Sequence, residues 1–417
     1  MTVPQIINNE VDLKAEFPLL VDREIDYITE AKGLFTSGYY SYSLLAIWNG
    51  AVNNLKRKVE AYGVDLWASI VKDEAGRKKY DKDGETIAER WSGVDDLVLI
   101  AGATKLGLLN PKAGKSLEMI NWMRNHASPA HDSDHRVEME DAIGLILLLQ
   151  KNLFQQPFPD PGHSVSAIFD PIKNKHLSEE EIGILKDQIK SYKNQDIRNV
   201  FGFFMDLLTQ GEDPAKLNIT ELFPAVWEKT NEDLRKTLGL KYHGYVIDPD
   251  SDDSPDKGAK TRVFELLIKL GGVSYIPDGT RARIYRRAAE QLADAKDTSY
   301  GWRLEESASR NLMQLGISVP SVVFEELYQE IISVWCGNYW GRSDSYLTLQ
   351  PFMDSLNTDN IRTIMKMFRE NERVRDELSL SKPKRKAIDL LNTFKDKLTI
   401  EAHIQELKDT TKNIKKM

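Results

Sequence analysis

Apolar residues recur at intervals of three and four along almost the whole chain, and strand-type alternation is nearly absent, which predicts an all-α protein. Val21, Ile25, Ile28 and Phe35 line one face of a first helix, with Asp22 near its start. Leu44, Trp48, Ala51, Val52, Leu55, Val59 and Tyr62 form the cleanest stripe and predict a second. A charged insertion fills the interval from Gly63 to Gly93. Its Asp83-Gly84 pair suits a small hairpin turn, and a solvated loop fits equally. A third helix is expected from Asp95 to Leu108 and a short one from Ser116 to His126. The stretch Ile143 to Leu149 is apolar nearly all round, so its helix belongs at the centre of a bundle or in a dimer interface. Together these segments predict a four- to five-helix bundle over residues 17–156, preceded by an N-terminal arm, 1–16.

Breaks in the pattern suggest further divisions. The proline-rich run Gln156 to Gly162 cannot continue a helix and opens a linker, 157–177. Ser178 with Glu180 and Glu181 starts a helical middle region, 178–244, with helices from Ile197 to Leu208 and Ile219 to Trp227. The acidic run Asp248 to Asp256 reads as an exposed linker, 245–260. From 261 to 417 further amphipathic segments follow, including Asp278 to Asp294, Val322 to Val334 and Asp359 to Arg373. They suggest a solenoid-like stack of helix pairs, although no fixed period is present.

The chain has 417 residues, enough for two or three domains with separate cores, and its 41% hydrophobic and 29% charged content is that of an ordinary globular protein. A net charge of −8 argues against a protein that coats nucleic acid non-specifically, while leaving room for a local basic site. The single cysteine, Cys336, excludes an internal disulfide framework and, beside the apolar run Ile331 to Trp335, reads as core. No apolar run reaches the roughly 18 residues needed to span a bilayer, and the acids Glu10, Asp12 and Glu16 do not suit a signal peptide, so no membrane contact and a cytoplasmic location are expected.

The most informative stretch is Arg124-Asn125-His126-Ala127-Ser128-Pro129-Ala130-His131. On an unbroken helix Arg124 and His131 would lie roughly 10 Å apart along the axis. Pro129 prevents that, since it removes a backbone donor and drives Ser128 out of the helical region. The helix carrying Trp122 and Met123 should therefore stop near His126. Asp132, Ser133 and Asp134 offer caps for the next helix, expected from about Asp134 through Met139, Ile143, Ile146 and Leu149. His131 is then placed at a helix junction beside Arg124.

This pattern resembles the signature of the HEPN superfamily, an arginine followed by a polar residue and, after four to six intervening residues, a histidine. Six residues intervene here, and Ala101 to Leu109 is similar to the leucine- and glycine-rich stretch upstream in that family. The resemblance covers about residues 17 to 156. It implies a metal-independent endoribonuclease of the kind found among bacterial toxins and in antiviral defence, including abortive infection, with no cofactor. Arg124, Asn125 and His131 are the catalytic residues it implies. It also implies a composite site in which two bundles face each other. Only one such motif is present, so a homodimer through the N-terminal bundle is expected, acting on RNA, with an antitoxin or trigger protein as a further partner and the C-terminal region regulating, sensing or recruiting.

The residue chemistry agrees. Cleavage by the 2′-hydroxyl needs a base, an acid and charge stabilisation, and no metal. The imidazole of His131 titrates near neutrality, Arg124 presents a planar fork that matches two phosphate oxygens, and Asn125 can orient either. His126 is a second histidine within the motif that could in principle be the active one or contact the RNA, but only His131 has the family's spacing. The competing reading is a non-enzymatic adaptor or dimerisation scaffold in which Arg124 and His131 bond helix ends or acids such as Glu138. A metal site at His126, His131 and His135 is a weaker alternative, and none is expected. Ala113-Gly114-Lys115-Ser116 lacks the first glycine and the strand of a phosphate loop, and the run from Asp248 has Asp253 and Ala259 where a calcium loop needs glycine and glutamate. Arg281, Arg283, Arg286 and Arg287 around Tyr285 could hold RNA, though a solvated helix face paired with Glu290 and Asp294 fits the run better. Trp335, Tyr339 and Trp340 near Arg342 read as core first and as a recognition surface second.

Overall fold

A computed structural model describes residues 3–126, 137–158, 168–298 and 301–417. Among the described residues helix accounts for 74% and strand for 1%, in keeping with the all-α expectation. Among the described residues no helix is long and apolar enough to cross a membrane. The chain divides into two units, Met1–Thr230 and Asn231–Met417.

In the first unit α1 (Asp22–Thr36) lies along α2 (Tyr40–Tyr62), and α3 (Val64–Val71), α4 (Asp96–Lys105), α5 (Pro111–His126) and α6 (Met139–Leu149) complete the packing. The predicted stripe on α2 is buried at Leu44, Trp48, Ala51, Leu55, Val59 and Tyr62, with Val52 half-buried at its edge. The buried face of α1, in contrast, includes a carboxylate. Glu24 is fully buried and accepts hydrogen bonds from Asn53 (2.9 Å), Asn54 (3.1 Å) and Arg57 (3.0 Å to each oxygen), so every side chain that compensates its burial comes from α2, and the Val21 N–H at the start of α1 adds a fourth donor (3.3 Å). The N-terminal arm is not separate: Ile6 and Ile7 are buried, and the Ile6 N–H donates to Gln150 Oε1.

Three expectations are corrected here. The insertion after Gly63 is structured: α3 is followed by a short antiparallel ribbon, β1 (Lys78–Lys79) with β2 (Gly93–Val94), so Asp83-Gly84 is not its turn. Glu60 organises the segment by accepting from Tyr80 (3.1 Å), Arg90 (2.8 and 2.9 Å) and Trp91 (2.9 Å); burial opposes its charge, but these bonds outweigh it and hold the carboxyl below its usual range. Helix α6 does not run on from Asp134, because Val137 and Glu138 are non-helical; Glu138 is the N-cap, its N–H donating to Asp141 (3.2 Å). Residues 178–230 are packed on the bundle and not set apart by the linker at 157–177. Lys173 pairs with Asp65 (3.0 Å), Tyr62 donates to Asp196 (2.8 Å), and Asn199 donates to the Leu106 carbonyl (3.0 Å), joining α8 (Asn194–Gln210) to the bundle; α7 (Glu179–Ser191) opens on the Ser178–Glu181 capping box and α9 (Ala215–Glu228) closes the unit.

In the second unit α10 (Glu232–Ile247) and α11 (Ala259–Lys269) flank the acidic run, which belongs to the fold: Asp252 and Ser254 are buried, and Asp252 accepts from Ser254 and from the Lys260 N–H (3.2 Å), capping α11. The charge folds inward because these backbone donors need an acceptor. Beyond them α12 (Asp278–Asp297), α13 (Trp302–Gln314), α14 (Phe324–Cys336), α15 (Ser345–Asp354), α16 (Thr358–Glu370), α17 (Glu372–Glu377), α18 (Ser381–Thr393) and α19 (Glu401–Lys416) follow. Helix α14 touches α12, α15, α16, α17 and α18, so these helices gather round one buried element, whereas solenoid repeats touch only their neighbours. Cys336 ends α14 inside the core, where burial pushes its thiol up to about 12.

Lys58 gives a titration signature. It is 2% exposed, donates to the carbonyls of Leu153 (2.7 Å) and Gln156 (2.9 Å), and burial brings its ammonium down to about 8. The folded protein thus releases this proton near pH 8, the unfolded chain near its ordinary 10.5. Between those values the unfolded chain binds more protons, so stability rises with pH, and below pH 8 the burial penalty is present in full. Denaturant titrations at pH 8 to 9.5 should show the native protein gaining about 1.4 kcal/mol per pH unit relative to Lys58→Met. Parallel profiles would contradict this.

Candidate functional site

Helix α5 starts at Pro111, with its missing N–H at a position that needs none, and Asn110 Oδ1 accepts from the Ala113 N–H (2.8 Å). Ala113-Gly114-Lys115-Ser116 is therefore part of a helix and not a phosphate loop. Gly114 sets the approach of α5 to α4: a Cβ there would stand 2.4 Å from Thr104 Oγ1. Asp96, in the first turn of α4, meets Arg124, in the last turn of α5. Each charge also suits the helix end that carries it.

Arg124 is held from three directions. Its Nη1 donates to Asp96 Oδ2 (2.9 Å), an oxygen that also receives the indole N–H of Trp48 at 3.4 Å. Its guanidinium carbon lies 5.7 Å from the centre of the Trp48 ring. Its Nε and Nη2 donate to Oδ1 of Asn125 at 3.1 and 3.0 Å. The fork edge that would match a phosphate is thus occupied by an exposed neighbouring amide that a ligand can displace, while the Asp96 bond fixes the other side. The Arg124 side chain is 28% exposed and that of Asp96 23%.

Arg124 lines two cavities. One of about 280 Å³ also has Arg23, Lys56, Trp48 and Asp96 on its walls, three cations against one acid. Burial pushes the Lys56 ammonium below its usual range, Asp96 partly offsets this, and Arg23 adds to it. The other, of about 540 Å³, is bordered by Asn121, Asn125, Arg77, Asp95 and Asp96. Asp96, Trp48 and Lys56 were missed at the level of sequence. Only the position of Asp96 at a helix start hinted at a role.

The structure brings Arg124 and Asn125 together. His131 lies outside the described residues, as does His135. His126 is exposed and stacks on Trp122, ring centres 4.6 Å apart, and its Nδ1 is 2.9 Å from the Trp122 carbonyl. A carbonyl can only accept, so in this contact Nδ1 is the donor. Two residues on from Arg124, however, His126 is turned about 200° round the helix. The four arginines around Tyr285 do not form one site. Arg281 is buried, bonded to the Ser274 carbonyl (2.7 Å) and Asp278 (2.7 Å), and Arg286 is paired with Glu326 (2.6 Å). Arg283 and Arg287 remain exposed, but Tyr285 is buried with its hydroxyl bonded to the carbonyls of Leu315 and Gly316, so it cannot stack a base. Among the described residues no three His, Cys, Asp or Glu side chains gather as a metal site.

Comparison with known protein families, with curated proteins and with solved structures finds no match to this chain.

If Asp96 and Arg124 hold each other, a double-mutant cycle of Asp96→Asn with Arg124→Gln, read by chemical denaturation, should give a coupling of about 1 kcal/mol. A coupling indistinguishable from zero would mean that the arginine is positioned by Trp48 and Asn125 alone.

Proposed function

We propose that this protein is a metal-independent endoribonuclease of the HEPN type. The observation that carries the reading is the placement of Arg124: a partly exposed guanidinium at a helix end, held on one side by Asp96 and Trp48, its other edge closed only by the displaceable Asn125, and facing a cavity with Arg23 and Lys56. Such a fork can bind two phosphate oxygens and offset the extra negative charge of a pentacoordinate phosphorane. The 2′-hydroxyl of the substrate attacks the adjacent phosphorus, forming a 2′,3′-cyclic phosphate and releasing the 5′-oxygen. One imidazole accepts the hydroxyl proton and another protonates the leaving oxygen, the roles assigned to His131 of two facing copies. Met119 and Trp122, 57% and 50% exposed on α5, supply apolar surface that a second bundle can cover. A toxin or antiviral effector, with the second unit sensing a trigger or an antitoxin, is the setting this chemistry suits.

A specific observation favours a second reading. The Asp96–Arg124 pair also ties α4 to α5, as expected of a non-enzymatic adaptor whose exposed Met119, Trp122 and His126 form a docking face.

Incubation of the purified full chain with total RNA in excess EDTA separates the two. The nuclease reading predicts cleavage that falls at least 100-fold in both Arg124→Ala and His131→Ala. Intact RNA with the native protein, or equal cutting by the variants, would leave the adaptor.

A further inference from the structure

The aromatic group after α14 separates into two parts. Trp335 is buried, as the core reading expects, whereas Tyr339 and Trp340 are 63% and 73% exposed. Their loop is closed tightly beneath them. The Asn338 N–H donates to the Gly341 carbonyl (2.7 Å), the Gly341 N–H returns to the Asn338 carbonyl (3.1 Å), and Asn338 Oδ1 accepts from the Trp340 N–H (2.9 Å). Gly337 and Gly341 have φ of +76° and +147°, and a Cβ on Gly337 would stand 2.2 Å from the Gly341 carbonyl oxygen. From below, the buried Lys296 donates to the Gly337 carbonyl (2.8 Å). A loop built this firmly holds two large rings in water, edge to face with centres 5.2 Å apart and planes at 87°.

A cation stands beside them, and more follow it in the sequence. Lys382 Nζ lies 5.9 Å from the centre of the Tyr339 ring and donates to the Trp340 carbonyl (3.3 Å). It belongs to the opening of α18, where Lys384, Arg385 and Lys386 follow and no acid occurs until Asp389. Arg342 stacks on Tyr346 at 3.3 Å from the ring centre, and Asp344 is the one acid between residues 337 and 347. The half-exposed Trp302 reaches within 4.0 Å of where a Cβ on Gly341 would stand, adding a third ring.

We propose that the Tyr339–Trp340 loop and the start of α18 form a docking surface for single-stranded RNA. Perpendicular rings cannot engage a stacked duplex, but each offers a face to one base of a flexible strand, while the three lysines and one arginine that open α18 meet its phosphates. This charge pattern suits a polyanion with flat apolar bases better than a purely acidic peptide, which has nothing to stack. The stacking argument stands without the nuclease reading; the choice of RNA over DNA rests on it.

The test is fluorescence anisotropy of a labelled 2′-O-methyl oligouridine with the full chain. Such a strand cannot be cut by its own 2′-oxygen, so binding is read apart from cleavage, and loss of one leaves the other intact as a result. Trp340→Ala and Tyr339→Ala should each weaken binding roughly tenfold or more with unchanged Tm, and Lys382→Glu should weaken it and flatten its salt dependence. Equal binding by the two aromatic variants, equal binding of a duplex, or displacement of the strand by a polyglutamate peptide at matched charge would overturn the proposal. Tighter binding of the matching deoxyoligomer would overturn RNA as the occupant.

Discussion

The hydrogen-bonded pair of Asp96 and Arg124 is the constraint on which the chemistry proposed for the first unit depends. It joins the first turn of α4 to the last turn of α5, and a close crossing of those helices at Gly114 places the two charges in reach. With one side of the guanidinium anchored and Trp48 beside it, the remaining N–H groups are directed rather than free. An arginine on a surface helix loses several rotatable bonds when it binds an anion; this one has already lost most of them. In the proposed reaction the same pair would serve structure and function, since the interaction that binds two helices is also the one that orients the fork.

Charge elsewhere follows a similar rule, in which polar groups inside the protein are met by partners from distant parts of the chain. Glu24 is enclosed by three α2 side chains, Glu60 gathers the ribbon and Trp91 around α2, and Lys58 closes two carbonyls after α6. Helix α2 is therefore an apolar stripe with polar anchors on its flanks. That arrangement gives the bundle a defined register as well as a core, because a slip of one residue would strand a buried charge.

How much of this was legible depended on whether the signal was local. The stripe from Leu44 to Tyr62, the capping box at Ser178 and the helices around Ile197, Asp278 and Val322 all declare themselves through spacing within one segment. Glu24 did not, since an acid in a first turn normally faces water, and only Asn53, Asn54 and Arg57 across the interface make it a buried one. The five aspartates from Asp248 to Asp256 read as a solvated linker because composition cannot show that Asp252 turns in to cap α11. The proline-rich run was read as a domain boundary, yet Tyr62, Asp65 and Leu106 bind the chain beyond it, and the division falls between Thr230 and Asn231. At the candidate site Arg124 and Asn125 were found through their motif, whereas Asp96, Trp48 and Lys56 join them only in space.

The central claim is that Arg124 serves a reaction in which the substrate's own 2′-hydroxyl is the nucleophile. The most direct measurement is the chemistry of the cut ends, using one oligonucleotide with ribose throughout and a second with 2′-deoxyribose at the cleaved position alone. The account predicts 2′,3′-cyclic phosphate and 5′-hydroxyl ends from the first and no cleavage at that position in the second. Cleavage of the deoxy-substituted strand, or 5′-phosphate ends from either, would contradict it.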